Sequence, residues 1–362
     1  MNICLLINSF NLGGAEKLIY DIAEQLHKKQ ENVIVIAMKK AETAIEKRIS
    51  SELKEKGIRI DSVNKPAGGK KIAAVLTIRR LLKKYNINIL HTNGQSPDFY
   101  GRLAALLCRN VKTVVTIHNT AGYSRKTEKL LSFATDAYTA VSEDASRYST
   151  NTLGIKKITT VNNGIDFDRY INSTKHDGNI ILSVGRTVPQ KGYVNIADEM
   201  SEFLKKNSDY YWYIVGDTSQ NPAYFKRLNS LIDDKVKERV IFTGAVTDTE
   251  EYYKKASVFL LPSEYEGFGI AFIEAVAAKL PIVCNKVGVI HDIIEAGGTV
   301  ACLKNGKLED ALISASAFSE AQLNYNFEYC KNHYSIQAIT EEYIKVYRSV
   351  LGEKNEHTVS QS

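Results

Sequence analysis

The chain of 362 residues is longer than a single compact domain usually is and suits two. Its 44% hydrophobic and 24% charged residues are ordinary for a globular protein, and no run of about 18 apolar residues marks a membrane span. The net charge of +6 is unevenly divided: residues 1–170 hold 27 Lys and Arg against 16 Asp and Glu, the remainder 20 against 25, so the basic first half points to an anionic partner.

The opening MNICLLINS lacks a basic flank, and its apolar run stops at Asn8. It therefore reads as a buried first strand, not as a signal peptide. Further strand-like runs follow in NVIVIAMK, NILHTN, KTVVTIHN, AYTAVSE and ITTVNNGI, separated by helical patterns such as GAEKLIYDIAEQLHKK and KKIAAVLTIRRLLKKY. After the polar stretch DFDRYINSTKHDGN the theme repeats in NIILSVGR, YWYIVGD, RVIFTGAV, SVFLLPS and PIVCNKV. Strands alternating with helices predict parallel sheets covered on both faces. The fold class expected is α/β, two doubly wound Rossmann-like domains over residues 1–170 and 171–334, facing each other across a cleft. A helix over about 335–352 and a disordered tail, 353–362, complete the chain. The five cysteines are odd in number and show no CxxC spacing, which fits reduced thiols in a cytoplasmic protein.

Ligands of open parallel sheets bind where strands end and glycine-rich turns lead into helices. Such turns occur at Gly13-Gly14, Gly185-Arg186, Gly216, Gly244 and in EYEGFGIAFIEA, Glu264–Ala275. In SVGRTVPQKG, Arg186 and Lys191 flank the start of a helical pattern, a fork and a point charge that suit a diphosphate; alone, they would read equally well as solvated loop side chains. No Walker P-loop is present. In the second stretch a helix starting near Gly269 offers unpaired amides to an anion. Glu266 and Glu274, eight residues apart, suit hydroxyl binding, Glu266 near a sugar and Glu274 on a ribose. A glycosidase-like acid/base pair is the competing reading, and the flanking residues favour a cradle.

Taken together, NLGGAEK, TIHN at 116–119, VNNGID at 161–166, VGRTVPQKG at 184–192 and PSEYEGFGIAFIEA at 262–275 resemble the retaining glycosyltransferases of family 4, which have the GT-B fold. The resemblance runs in order from residue 3 to about 350. It implies that Arg186 and Lys191 hold a donor diphosphate, and that Glu274 takes the nucleotide ribose. Glu266 with the backbone of Gly267, Phe268, Gly269 and Ile270 would hold the donor sugar, with Gly13 and Gly14 against the phosphates. His118 would reach the donor sugar from the first domain, so that His118, Arg186, Lys191 and Glu266 form the catalytic set. Gly185, Gly216 and Gly244 would line the nucleotide, and Asn93, Asn119 and Ser142 stand on the acceptor side. His91 reads as structural. Asn162 stands where family members often have proline.

The activity so implied is transfer of a hexose or N-acetylhexosamine from a nucleotide diphosphate sugar, UDP before GDP, to a glycan or lipid-linked acceptor in bacterial surface-polysaccharide synthesis. No cofactor or metal ion and no nucleic acid are expected. KKIAAVLTIRRLLKKY reads most simply as a sheet-covering helix with a solvated basic face. Its alternative use is to rest the enzyme on the anionic inner face of the plasma membrane. Two rival readings are a nucleotide-sugar epimerase of the same fold, and a non-catalytic accessory subunit.

Overall fold

The computed structural model describes residues 1–11, 13–64, 71–119, 122–171, 178–303 and 307–353. The chain divides into two compact units, Met1–Gly164 with Ile336–Ser362, and Ile165–Ser335. The first unit runs β1 Asn2–Ile7, α1 Gly14–Lys28, β2 Asn32–Ala37, α2 Ala44–Glu55, β3 Arg59–Ser62, α3 Lys71–Lys84, β4 Ile89–Asn93, α4 Gln95–Ala105, β5 Lys112–Ile117, α5 Arg125–Leu131, β6 Ala137–Ala140, α6 Glu143–Tyr148 and β7 Thr159–Thr160. The second runs β8 Ile180–Val184, α7 Ala197–Lys206, β9 Tyr211–Val215, α8 Pro222–Leu231, β10 Val240–Gly244, α9 Glu250–Lys255, β11 Val258–Leu261, α10 Ile270–Ala277, β12 Ile282–Cys284, α11 Ile290–Glu295, β13 Ala301–Cys302, α12 Leu308–Ser316 and α13 Glu320–Tyr334. A last helix, α14 Ile336–Leu351, belongs to the first unit.

All strand pairs are parallel. The strand orders are β3-β2-β1-β4-β5-β6-β7 and β10-β9-β8-β11-β12-β13. Helices cover both faces, which is why the central strands are apolar without alternation; Ile3, Leu5 and Leu6 are all at 0% exposure, as are Phe259, Leu260 and Leu261. Helix starts follow local chemistry. Thr43 and Glu46 form a capping box on α2, and Ser319 and Gln322 do the same on α13.

Three sequence expectations change. Two edge strands, β3 (RIDS) and β13 (two residues), were not foreseen, because neither carries an apolar run. The first unit ends at Gly164 and not at 170: Ile165, Phe167 and Tyr170 pack into the second unit's core. Ser335 also closes the second unit, and α14 begins at Ile336, sharing a core with Ile3, Leu5 and Val114 through Ile339, Tyr343 and Tyr347. Leu12, Lys70, residues 172–177 of the expected linker and residues 354–362 of the expected tail lie outside the described residues. Among the described residues no helix is long and apolar enough to cross a membrane.

In both sheets the strand order reverses direction beside the first strand of the unit, between β1 and β4 and between β8 and β11. Such a switch point is where open parallel sheets leave a crevice for ligands. The loops expected to carry the chemistry are the ones that leave these strands.

Candidate functional site

The loop after β8 and the loop after β11 are tied together. The Glu264 amide donates to the Gln190 carbonyl at 2.9 Å, and the Gln190 side chain donates to the Tyr265 carbonyl at 3.1 Å. Asn195 Nδ2 donates to Glu264 Oε1 at 3.0 Å. Asn285 Nδ2, from the turn after β12, reaches the carbonyls of Pro262 and Ser263, each at 3.1 Å. Gly192 sits at φ +71°, and a Cβ there would overlap the Pro262 carbonyl oxygen. Gly288 is equally confined: the next residue, Val289, donates its amide to the Phe268 carbonyl at 2.8 Å, and a Cβ on Gly288 would overlap that same carbonyl.

Inside this clasp Lys191 Nζ donates to Glu266 Oε1 at 2.7 Å, with both side chains largely buried, and Ser263 Oγ donates to the same oxygen at 2.7 Å. The ammonium has three N–H donors, so pairing with Glu266 fixes its position without exhausting it. Arg186 stands at the exposed lip, its Nη1 donating to Gln220 Oε1 at 3.0 Å. The helix α10 starts at Gly269, whose φ is +94° and which brings no side chain to cap the first amides. Lys191, Arg186 and that helix start are the positive groups at the β8–β11 switch point. Two hydroxyls beside them, on Thr187 and Tyr193, are fully buried and have no hydrogen-bond partner. Burial, and next the Glu266 charge, raise the Tyr193 hydroxyl's pKa, so it stays protonated.

Glu274 lies in the second turn of α10 and is 6% exposed. Tyr170 donates to its Oε1 at 2.6 Å and Tyr253 to its Oε2 at 2.8 Å. Gly216 and Gly244 meet through the Gly216 amide and the Gly244 carbonyl at 3.1 Å, and the Gly185 amide donates to the Val215 carbonyl at 2.9 Å. The turns after β8, β9 and β10 are thus laced edge to edge. Phe268 packs inward against Tyr334 with ring centroids 5.4 Å apart, so only its backbone faces the loop's chemistry, and Tyr265 is exposed.

In the first unit Gly13 caps α1 and Gly14 opens it, after β1. Asn93 ends β4, and its Oδ1 lies 2.9 Å from His118 Nε2, after β5. With that oxygen as acceptor the proton sits on Nε2, and Nδ1 is buried with no partner among the described residues. Burial pushes the His118 pKa down from 6.5 to about 4, so the ring is neutral. Asn119 is exposed. Ser142 caps α6, its Oγ accepting from the Ala145 amide at 3.1 Å; the Ser-Glu-Asp run at a strand end was a legible signal for that task. His91 is structural: its nitrogens lie 2.7 Å from Tyr347 and 2.6 Å from Thr116.

Among the described residues no group of three or more His, Cys, Asp or Glu side chains could hold a metal ion. The expectation of a metal-free site includes the absence of an Asp-x-Asp pair, but the chain does contain one, Asp166-Phe167-Asp168. Asp166 accepts from the Asp168 amide at 3.2 Å and pairs with Arg169 at 3.4 Å, which gives it a capping task.

Two parallel sheets, each in its own unit and the second with a charged clasp at its switch point, define a two-domain α/β protein. The family model described as Glycosyltransferase Family 4 matches residues 12–169, and that described as Glycosyl transferases group 1 matches residues 165–323. The chain belongs to glycosyltransferase family 4, and its fold is GT-B. It is 26% identical over 245 residues to the Escherichia coli UDP-Gal:alpha-D-GlcNAc-diphosphoundecaprenol alpha-1,3-galactosyltransferase, covering 60% of this chain and 62% of that protein. Among solved structures it resembles a glycosyltransferase from Rickettsia africae ESF-5, at TM-score 0.80 and 20% identity over 98% of this chain and 99% of that one. It also resembles Anabaena Alr3699/HepE in complex with UDP-glucose, at TM-score 0.77 and 19% identity over 96% of this chain and 100% of that one.

Proposed function

We propose that this glycosyltransferase moves a hexose or N-acetylhexosamine from a UDP-sugar, with a GDP-sugar as the other donor class, to a hydroxyl of a lipid-linked glycan, retaining the anomeric configuration. The clasp of Lys191 and Glu266 at the β8–β11 switch point is the single observation that carries this reading. The donor class is supported by the UDP-glucose complex of the Anabaena protein, and the acceptor class by the diphosphoundecaprenol substrate named for the E. coli relative.

The bond from the anomeric carbon to the β-phosphate oxygen breaks, leaving an oxocarbenium-like sugar and a diphosphate. Lys191, Arg186 and the start of α10 take up the charge that develops on that leaving group, each contributing on the order of 3 kcal/mol if it acts as an oxyanion-hole donor does. No side chain near the clasp is placed as a nucleophile. The acceptor hydroxyl therefore attacks from the leaving-group face and passes its proton to the departing phosphate oxygen. Glu266, with Oε1 engaged by Lys191 and Ser263, turns Oε2 to the sugar hydroxyls. The neutral His118, its Nε2 proton directed to Asn93 and its Nδ1 left as an acceptor, suits a neutral sugar hydroxyl. A metal ion has no part in this scheme.

The basic surface fits the acceptor's setting. From Ser62 to Thr135 the sequence holds 13 Lys and Arg and only two acidic residues, Asp98 and Glu128. Both of these are buried, and Glu128 is paired with Arg102. Beside these cations Ile72 and Leu76 on α3, and Leu107 and Phe133, are exposed. Apolar side chains ringed by cations suit an anionic bilayer.

The test is a panel of nucleotide diphosphates scored by thermal shift, then of nucleotide sugars scored by hydrolysis and by transfer to a polyprenyl-diphosphate sugar, with and without excess EDTA. UDP is expected to stabilise most and EDTA to leave turnover intact. Product from nucleotide sugar alone, of inverted hydroxyl configuration, would make the protein an epimerase; inertness toward every donor would make it an accessory subunit. Cosedimentation with phosphatidylglycerol vesicles but not with neutral phosphatidylcholine vesicles is expected, and equal behaviour toward both removes the bilayer contact.

A further inference from the structure

We propose that Tyr170 and Tyr253 are positioning residues that aim the Glu274 carboxylate at the nucleotide ribose. The inference rests on the donor reading above. The sequence of α10, IAFIEAVA, is apolar apart from Glu274, and five of the residues flanking it are buried. Placing a carboxylate there is costly, and an aliphatic residue of similar volume would stabilise the packing more cheaply. A carboxylate so placed needs a reason beyond packing, and its position on the helix that starts at the switch point supplies one.

The two hydroxyls come from different elements. Tyr170 follows a short 3-10 turn, Phe167–Arg169, at the opening of the second unit, and Tyr253 lies in α9. Each ring is 0% exposed, and they meet edge to face at 5.4 Å and 83°. Tyr253 also stacks on Phe259 at 5.7 Å, and Phe259 meets Phe272 of α10 at 6.0 Å. The hydroxyls are therefore held by a packed aromatic group and not by flexible side chains. One takes Oε1 and the other Oε2, which fixes the plane of the carboxylate. A carboxylate offers about four lone-pair sites, so two tyrosine donors do not by themselves exhaust it. Tyrosines also orient the group without supplying an opposing charge, as a lysine would. Burial, and next the Glu274 charge, raise the Tyr253 pKa well above its usual value, so it remains a donor. A fixed planar acceptor pair of this kind matches two adjacent hydroxyl donors, the vicinal diol of a ribose.

The experiment compares UDP with 2′-deoxy-UDP by calorimetric titration, with the guanosine pair alongside. The proteins are the wild type, Tyr170→Phe, Tyr253→Phe, the double Phe variant and Glu274→Gln. Wild type is expected to prefer the ribonucleotide about tenfold, the worth of one well-placed hydrogen bond to a charged group. That preference should fall toward unity in Glu274→Gln and in the double Phe variant, and partway in each single variant. KM for the donor should rise while kcat at saturating donor stays within about twofold, as expected for loss of uniform binding. Phenylalanine keeps both rings, so melting temperatures report separately on packing. A merely structural role would weaken both ligands equally and leave their ratio at the wild-type value, which overturns the inference. Wild type that binds both nucleotides without discrimination removes Glu274 from the ribose. Wild type that binds no nucleotide at all sinks the donor reading together with this one.

Discussion

The two units share the order of six strands, the first adding β7 at its edge, and place different chemistry at the same topological position. Between β8 and β11 stand Lys191, Arg186 and Glu266, charged groups held by side chain-to-side chain bonds, Lys191 and Ser263 to Glu266 and Arg186 to Gln220. Between β1 and β4, and on the neighbouring β5, stand Asn93 and a neutral His118, with glycines opening α1. The first unit's charge is carried instead over its outer helices, on α3 and near α5. One switch point thus carries charged side chains, and the other neutral polar ones next to a basic exterior. Identical topology fixes where a ligand can sit and leaves its nature to a few side chains on the loops.

The sharpest way to break this contrast is to remove the charge. Lys191→Ala is expected to lower turnover by roughly 10³-fold, the scale for loss of a transition-state donor. Because Lys191 is paired with a largely buried Glu266, the melting temperature should also fall. His118→Ala in the other unit should reduce kcat while leaving UDP affinity unaltered. Equal loss of UDP affinity in both variants would erase the distinction between the units.

Next in size is the clasp. Gly192→Ala forces a side chain into the left-handed region and against the Pro262 carbonyl. We expect a loss of about 2 kcal/mol or more, read as a shifted denaturation midpoint, with donor KM raised. A variant with wild-type stability would mean the two loops are not held as tightly as their hydrogen bonds imply.

The smallest effect separates the units by pH. His91 is held near 3 and His118 near 4 by burial, against 6.5 for a free ring. Their unfolded forms bind more protons below pH 6.5, so both contributions are complete above 6.5 and are lost as pH falls toward 4 and 3. Asp98 opposes this. Burial raises its pKa from 3.8 to about 8, so its contribution is complete below 3.8 and is lost as pH rises through 8. Melting temperature against pH should therefore show an acid limb that His91→Asn flattens and Asp98→Asn does not. An unchanged limb in His91→Asn would locate the acid sensitivity elsewhere, the second unit included.

Much of this was legible in the residues themselves. Continuous apolar runs gave the buried strands, and Arg186, Lys191, Glu266 and the glycine turns marked the loops that meet at the second switch point. What stayed hidden needed tertiary proximity. The residues that fasten the clasp, Gln190, Asn195, Ser263 and Asn285, are short polar side chains with no pattern of their own. Tyr170 and Tyr253 are 83 positions apart and meet only at Glu274. The edge strands β3 and β13 escaped for the opposite reason, RIDS being too polar and the two-residue β13 too short to differ from loops.

The discontinuity of the first unit bears on how the chain comes off the ribosome. Its core lacks Ile339, Tyr343 and Tyr347 until α14 has been synthesised, after the whole of the second unit. His91 and Thr116 meanwhile have no tyrosine above them. The half that is made first is therefore finished last, and nascent chains must shelter an open apolar groove through the making of some 170 further residues.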